Sequence, residues 1–346
     1  MGAKILNWSE SKEAVELLKQ GEAVCFPTET VYGIGAIATN EEAFKKLVSI
    51  KRRPPEKPFT LMCSNFTQAM IYAEFDVKVL TVMHTFMPGQ ITVLIRPRKN
   101  IPSWVTLGSE YIGIRIPDST EVRDMIDAVG SPLLVPSANH SGEPTSTNFE
   151  EVDRVFHNEV PAIIKGVCKS EIASTIVMFA PDGLKLIRQG GIPFEEIQKV
   201  YETASFSVSI ASDHGGFSLK ESIVDHLKIR GFNVIDEGTY STGSCDYPIF
   251  AKKAANDVIS GKAQLGIVCC TSGEGVMMAA NKVKGIRCGM GYDDIVTGKC
   301  REHNNANMIS FGQAYMSKED VLRRVDIFLC EKFSTLEKHH RRVDLI

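Results

Sequence analysis

FSVSIASDHGG (residues 206–216) is an apolar strand that runs straight into a glycine turn, the way an α/β domain begins. Just before it, LKLIRQGGIPFEEIQKVYETAS (184–205) closes the preceding region with a strand, a Gly-Gly break and a short helix. The chain of 346 residues therefore divides here, into domains at 1–203 and 206–346. Downstream the rhythm alternates strictly. Strand SVSIAS precedes helix FSLKESIVDHLKIRG, and strand NVIDEG precedes helix YPIFAKKAANDVISGK. Strand LGIVCC runs through the TSGEG loop into helix VMMAANKV, GIRCGMGY leads to a helix through DDIVTGKCREHN, and NMISFG leads to SKEDVLRRVDIFLCEKF. Such alternation predicts a doubly wound, Rossmann-like parallel sheet with ligands at the carboxyl ends of its strands. Upstream, SESKEAVELLKQG reads as a helix capped by Ser9 or Ser11, and NEEAFKKLVSIKRR as one started by Asn40. Many short apolar runs follow (FTLMC, ITVLIRP, YIGIRIP, PLLVPSAN, PAIIKG, STIVMF), which predicts a large twisted mixed sheet with helices. The fold class is α/β in both domains.

Composition narrows the function. Apolar residues make up 43% and charged residues 23% of the chain, so each domain can bury its own core. No apolar run is long enough to span a bilayer, and MGAKILNWSESKEAVELLK lacks the apolar stretch of a secretory signal. The net charge of −3 divides into −4 for residues 1–205 and +1 for 206–346, unlike a dedicated nucleic-acid binder. The nine cysteines form no CxxC pair and have no His-rich partner spacing. That argues against a metal centre or a disulfide framework, and for a reducing, cytoplasmic setting without membrane contact.

In the second domain the carboxyl-end rule selects Ser212-Asp213-His214-Gly215-Gly216, Cys269-Cys270-Thr271-Ser272-Gly273-Glu274-Gly275 and Arg301-Glu302-His303-Asn304-Asn305, and these are expected to converge on one pocket. Backbone N–H groups of a glycine loop opening a helix suit an anion, and the same end favours a thiolate at Cys270. Alternation along LGIVCC points Cys269 and Cys270 opposite ways, so at most one reaches a ligand. Plainer readings stand beside these: two core cysteines, Asp213 as a helix cap, and His303 as a helix-end cation.

Taken in order, SDHGGFSLKESIVDHL, GTYSTGSCDYPIFA, CTSGEGVMMAANKVKGIRC, REHNNANMISFG and KHHRRV resemble ribose-5-phosphate isomerase type B. The resemblance covers essentially all of 206–346 and implies interconversion of ribose 5-phosphate and ribulose 5-phosphate through an enediolate. It makes Cys270 the general base and Ser272 with the Gly273–Gly275 backbone the oxyanion site. Asp213 and His303 would bind and open the furanose ring, and Asn304 and Tyr247 would line the sugar. His214, Lys338 and Arg342 would take the phosphate. It also implies a homodimer through this domain, with His303 supplied across the interface. Ala314 stands where relatives often carry an Arg, and Lys338 replaces a tail Arg, so the phosphate grip should be weaker. Branches acting on allose or galactose phosphates share the scaffold.

In the first domain PTETVYGIG leaves a strand through hydroxyls and glycines, Lys51-Arg52-Arg53 ends a helix, and Pro136-Ser137-Ala138-Asn139 follows an apolar strand. Taken alone, the basic run reads as a dipole-complementing helix end, the others as turns, and GIG is too short for a phosphate loop. No Ser-His-Asp or Cys-His arrangement is evident, so an enzyme here would work by positioning and charge neutralisation. PTETVYGIG, IKRRPPEKPFTLM, MPGQITVLI, GIRIPD, PSANHSGEPT, STIVMF and LIRQGG, in this order, resemble the YrdC-type threonylcarbamoyl-AMP synthases. The resemblance implies synthesis of threonylcarbamoyl-AMP from L-threonine, bicarbonate and ATP with Mg2+, for a tRNA modification completed by other proteins. Lys51, Arg53, Ser137, Asn139, Ser174 and Arg188 would hold ATP and the bicarbonate-derived group. Thr28, Thr30, Tyr32 and Arg115 would hold threonine. Met62 stands where some longer relatives carry a His. A cluster of Lys45, Lys46, Lys51, Arg52, Arg53 and Lys57 offers a surface for tRNA contact, against the domain's net −4. An RNA-binding module without synthase activity is the alternative.

Overall fold

The computed structural model describes residues 2–52, 58–99, 101–170 and 172–346. They form two compact units, Met1–Glu74 with Thr85–Glu202, and Phe75–His84 with Thr203–Ile346. Phe75–His84 thus groups with the second unit, which the strand–helix rhythm does not announce.

The first unit is built on β1 (Lys4–Leu6), β2 (Val24–Pro27), β3 (Tyr32–Ile37), β4 (Leu61–Met62), β5 (Ile91–Ile95), β6 (Ile112–Arg115), β7 (Leu133–Leu134), β8 (Ala162–Ile164), β9 (Thr175–Ala180) and β10 (Gly183–Arg188). Among the described residues these join one mixed sheet in the order β1-β8-β2-β3-β7-β4-β6-β5-β9-β10. Helices Ser11–Lys19 and Thr120–Val129 bury Leu18, Val122 and Ile126 in one cluster with Val24, Phe26 and Leu133 of the sheet. Each such fully buried side chain is worth about 1.5–3 kcal/mol. The GIG glycines serve this packing: a Cβ at Gly33 would meet Val135 at 2.7 Å, and one at Gly35 would meet the Phe26 ring at 2.7 Å. Neither Ser9 nor Ser11 caps the first helix. The entry belongs to Asn7, whose backbone N–H donates to Glu10 Oε2 at 2.9 Å in a capping box over a short preceding turn. Asn40 does cap helix Glu41–Lys51, its Oδ1 accepting from the N–H groups of Glu42 and Ala43.

The second unit carries β11 (Ser207–Ser212), β12 (Asn233–Asp236), β13 (Leu265–Cys270), β14 (Cys288–Met290) and β15 (Met308–Gly312). All pair in parallel, in the order β12-β11-β13-β15-β14. Central β13 is buried throughout, as a strand covered on both faces must be. Helices Tyr247–Ile259 and Glu274–Ala280 pack Ala251, Ala254 and Val276 against Ala211, Val268 and Cys270. Helix Phe217–Ile229 is pinned to helix Lys318–Cys330 by a buried His226–Asp326 hydrogen bond of 2.7 Å.

Candidate active sites

In the first unit the site begins at the last residue of helix Glu41–Lys51. The backbone turns left-handed at Arg52 (φ 49°), and the Lys51 side chain, 3% exposed, runs inward. Its ammonium donates to the carbonyl of Ser137 at 2.6 Å, to the carbonyl of Asn139, and to Asn139 Oδ1 at 3.2 Å. The Ser137 hydroxyl donates to the same Oδ1 at 2.6 Å, and Asn139 Nδ2 donates to the carbonyls of His140 and Glu143. Asn139 is therefore the bracket that orients Lys51 and Ser137. These oxygens are neutral, so they aim the ammonium without cancelling its charge.

Arg115, at the end of β6, donates from Nη2 to Glu29 Oε1 at 2.6 Å and to Thr30 Oγ1 at 2.8 Å. Thr28 Oγ1 lies 3.0 Å from Thr30 Oγ1 and donates to the Val31 carbonyl. Arg188 donates from Nε and Nη2 to the Ser174 carbonyl, at 3.1 and 2.7 Å, and Ser174 Oγ lies 3.0 Å from Thr92 Oγ1. Lys51, Arg115, Ser137, Ser174 and Arg188 line one cavity of about 330 Å3, with Met62 on its wall. Burial, and after it the Arg115 cation, pulls the Arg188 guanidinium below its usual pKa. A cavity lined by Lys51 and Arg188, with Arg115 paired to Glu29 on its wall, makes a place for a polyanion.

The structure places the remaining expected residues differently. Thr30 bonds Arg115 and Thr28 bonds Thr30, and neither is among the residues that line the cavity. Tyr32 is fully buried; its hydroxyl donates to the Gly166 carbonyl at 2.9 Å and accepts from the Gly166 N–H at 3.0 Å, and burial pushes its pKa up to about 12. Arg53, with Lys57 of the basic cluster, lies outside the described residues. Sequence reading passed over Glu29, although it stands between two threonines that it did single out.

In the second unit Cys270 closes β13, and its Sγ accepts from the Gly273 N–H at 3.0 Å. Gly273 has φ 86°, which lets the loop fold back over the thiol. Cys269 is wholly buried, and burial pushes its thiol pKa far up, so it is a core residue. Ser272 Oγ accepts from the Glu274 N–H at 3.3 Å. Asp213 does cap the next turn, accepting from the Gly216 N–H at 3.0 Å, as the plainer reading has it. That turn also approaches the thiol loop: a Cβ at Gly216 would stand 2.6 Å from Cys270 N. His214 Nδ1 accepts from the Cys245 N–H at 3.3 Å, and a Cβ at Gly275 would meet the Tyr247 ring at 3.0 Å. Asp213, His214, Tyr247, Cys270, Ser272, Gly273 and Gly275 thus gather at the carboxyl end of the sheet.

His303 and Asn304 do not join them, which corrects the expected convergence. Helix Asp294–Asn304 runs back along the sheet, and its last residues precede β15. The Asn305 carbonyl accepts from Arg287 Nε at 2.9 Å, next to the start of β14, whereas Cys270 is paired with Gly312 at the far end of β15. At ~3.3 Å per residue those ends lie about 13 Å apart. Lys338 and Arg342 sit on helix Glu337–Val343, whose His339 stacks on His303 with ring centroids 4.2 Å apart. The residues that the isomerase resemblance names thus fall into two groups at opposite ends of one sheet. Ala314 is on the thiol side, its N–H donating to the Thr271 carbonyl at 3.0 Å.

A family model described as Telomere recombination, of the Sua5/YciO/YrdC proteins, matches residues 16–190, and one described as Ribose/Galactose Isomerase, of the LacAB/RpiB proteins, matches 208–346. Ribose-5-phosphate isomerase B of Mycolicibacterium paratuberculosis is 39% identical over 140 residues, which cover 40% of this chain and 88% of that one. The chain belongs to both families. The Sua5/YciO/YrdC part is also 36% identical over 192 residues to the threonylcarbamoyl-AMP synthase of Bacillus subtilis, covering 54% of this chain and 55% of that protein. The chain thus spans about half the length of that relative. A solved Sua5 of Pyrococcus abyssi, 24% identical with a TM-score of 0.55, shares the fold over 82% of this chain and 98% of its own. No helix among the described residues is long and apolar enough to cross a membrane, and no cluster of His, Cys, Asp and Glu among them could hold a metal ion.

Proposed function

We propose that the Sua5/YciO/YrdC part makes threonylcarbamoyl-AMP and pyrophosphate from L-threonine, bicarbonate and ATP. The observation that carries this is Lys51, buried yet aimed by Ser137 and Asn139 into a cavity that Arg115 and Arg188 also face. Lys51 and Arg188 bind the triphosphate and neutralise charge that builds at the α-phosphate, while Arg115, tied to Glu29, holds the threonine carboxylate; the carbamate oxygen attacks and pyrophosphate leaves. The donors are ammonium, guanidinium and hydroxyl groups, which fit phosphate oxygens better than a metal ion; Mg2+ would ride on the ATP phosphates and supply further charge neutralisation there. Pyrophosphate release that needs both threonine and bicarbonate supports the reading. Salt-sensitive tRNA binding that survives Lys51→Ala with Asn139→Ala, without any such release, supports the RNA-binding alternative. Completion of a tRNA modification would fall to other proteins in the cytoplasm.

We propose that the LacAB/RpiB part interconverts ribose 5-phosphate and ribulose 5-phosphate. The supporting observation is the Cys270 thiol against the Gly273 N–H in a loop that the Asp213 turn touches. Asp213 opens the furanose. Cys270 as thiolate takes the C2 proton of the aldose, the electron pair forms an enediolate held by loop N–H groups, and the proton returns to C1. The two groups imply a homodimer in which His303, Asn304, Lys338 and Arg342 of one copy complete the Cys270 end of the other. Exposed Ile249, Met278, Tyr292 and Ile295 supply apolar surface for it. A substrate panel of ribose, allose and galactose phosphates tests the sugar: preference for a six-carbon phosphate would replace ribose with that branch's substrate.

A further inference from the structure

Lys220, on helix Phe217–Ile229, is completely buried, and the mechanism above does not use it. A lysine is almost never buried so fully unless it is paired. Its ammonium bonds Asp236 Oδ2 and Glu221 Oε1, and it lies 5.5 Å from the Phe217 ring centroid and 5.4 Å from that of Tyr240. Asp236 ends β12 and begins the turn beyond it: its Oδ1 accepts from the Gly238 N–H at 2.9 Å, and its carbonyl accepts from the Tyr240 hydroxyl at 2.7 Å. That turn clasps the end of β11. The Ser212 N–H donates to the Gly238 carbonyl, and the Thr239 N–H donates to the Ser212 carbonyl at 2.8 Å. Ser212 is bonded directly to Asp213. A continuous set of contacts therefore leads from Lys220 through Asp236 and Gly238–Thr239 to the carboxylate assigned to ring opening.

A buried ion pair is a poor way to gain stability, since apolar residues of similar volume often serve as well or better. Its use here is directional. The ammonium lies between two rings and two carboxylates, which ties it to the Asp236 turn, and that turn is hydrogen-bonded to Ser212.

We infer that Lys220 is a positioning residue for Asp213, holding it for opening and closing of the sugar ring and leaving the Cys270 proton transfer alone. The inference rests on the isomerase reading. The two steps separate experimentally because ribulose 5-phosphate is open-chain: exchange of its C1 hydrogen with solvent needs the Cys270 step only, while consumption of ribose 5-phosphate, supplied as the furanose, also needs ring opening. The full chain is incubated in D2O with ribulose 5-phosphate and, in a parallel reaction, with ribose 5-phosphate, and deuterium at C1 of the first and loss of the second are followed by NMR. Lys220→Met should keep C1 exchange within about twofold of the unsubstituted chain and slow consumption of ribose 5-phosphate by about tenfold or more, a size typical of lost positioning. Asp236→Asn, which keeps an oxygen for the Gly238 N–H, should show the same split, so the result stands even if Lys220→Met does not fold. Equal loss of both rates in Asp236→Asn and in any folded Lys220→Met, or loss of neither, overturns the inference. Absence of C1 exchange in the unsubstituted chain is a different result: it removes the isomerase reading itself, before any variant is compared.

Discussion

The two sites differ in where their parts come from. In the Sua5/YciO/YrdC part, Lys51, Arg115, Ser137, Ser174 and Arg188 come from well-separated stretches of sequence yet line one cavity. In the LacAB/RpiB part, residues of comparable chemistry fall at opposite ends of a five-stranded sheet. The cause is topological. The first sheet is mixed, so strand ends and loops from both directions can meet at one place. The second is wholly parallel, so every helix returns to the amino end, and a residue at the end of helix Asp294–Asn304 is carried away from the thiol. The described residues of the first site meet within a single copy; the second, on the reading proposed above, is completed by another copy.

The largest effect comes from pairing broken halves. Cys270→Ala and His303→Ala should each reduce isomerisation by about 10²-fold or more, as loss of a general acid or base does. If the halves complete one another, a heterodimer of the two variants contains one intact site and one doubly broken site. Co-expressed with different tags and purified as the mixed species, it should recover about half the unsubstituted rate, as two-fold symmetry requires. A mixed dimer no better than its parents would place the whole site within one chain and break the comparison. Pyrophosphate release should be unchanged in all three.

Lys51→Ala tests the other side. It removes the charge that the serine–asparagine turn aims into the cavity, and threonine-dependent pyrophosphate release should fall about 10²-fold. Isomerisation should hold. Asn139→Ala should do less, about tenfold, because Lys51 keeps its charge and loses its bracket. A loss as large as that for Lys51→Ala would mean that Asn139 touches the substrate itself.

Why some of this was legible in sequence and some was not follows from what each residue does locally. Strand–helix rhythm reveals β11 to β15 because short apolar-rich strands alternate with helical segments, β13 and β15 being buried along their whole length. Lys51 could be picked out by motif, but its inward course depends on the left-handed turn at Arg52 and on oxygens nearly ninety positions away. The glycines of PTETVYGIG, too short for a phosphate loop, leave room for Phe26 and Val135, which no local pattern shows. Tyr32 shows the same limit: a tyrosine in a polar motif is bound to Gly166, which no local pattern announces. The carboxyl-end rule brought His303 to the thiol within one copy because spacing locates a residue along the chain, while only strand direction tells which end of the sheet it reaches; the resemblance, which supplies His303 across an interface, made no such demand. Lys220 reads as one more surface lysine of an amphipathic helix until Asp236 and Tyr240 are folded over it.

The smallest effect concerns Ala314. The residue follows β15 at the thiol end, its backbone bonded to Thr271, and its side chain is exposed. In the dimer proposed here, Lys338 and Arg342 arrive at that end from the other copy. A guanidinium at 314 would come from the same copy as Cys270 and meet the phosphate from the opposite side. Ala314→Arg should therefore lower the KM for ribose 5-phosphate by about five- to tenfold, the worth of one added charge-assisted hydrogen bond, with kcat little changed. Steady-state kinetics on the variant give both numbers. The gain should require an intact Arg342, since a phosphate gripped from one side only has no reason to sit near 314. Ala314→Arg improving KM equally with and without Arg342→Ala would mean that the phosphate is held within one copy, and would bring the two halves of the sugar site back to one end of the sheet.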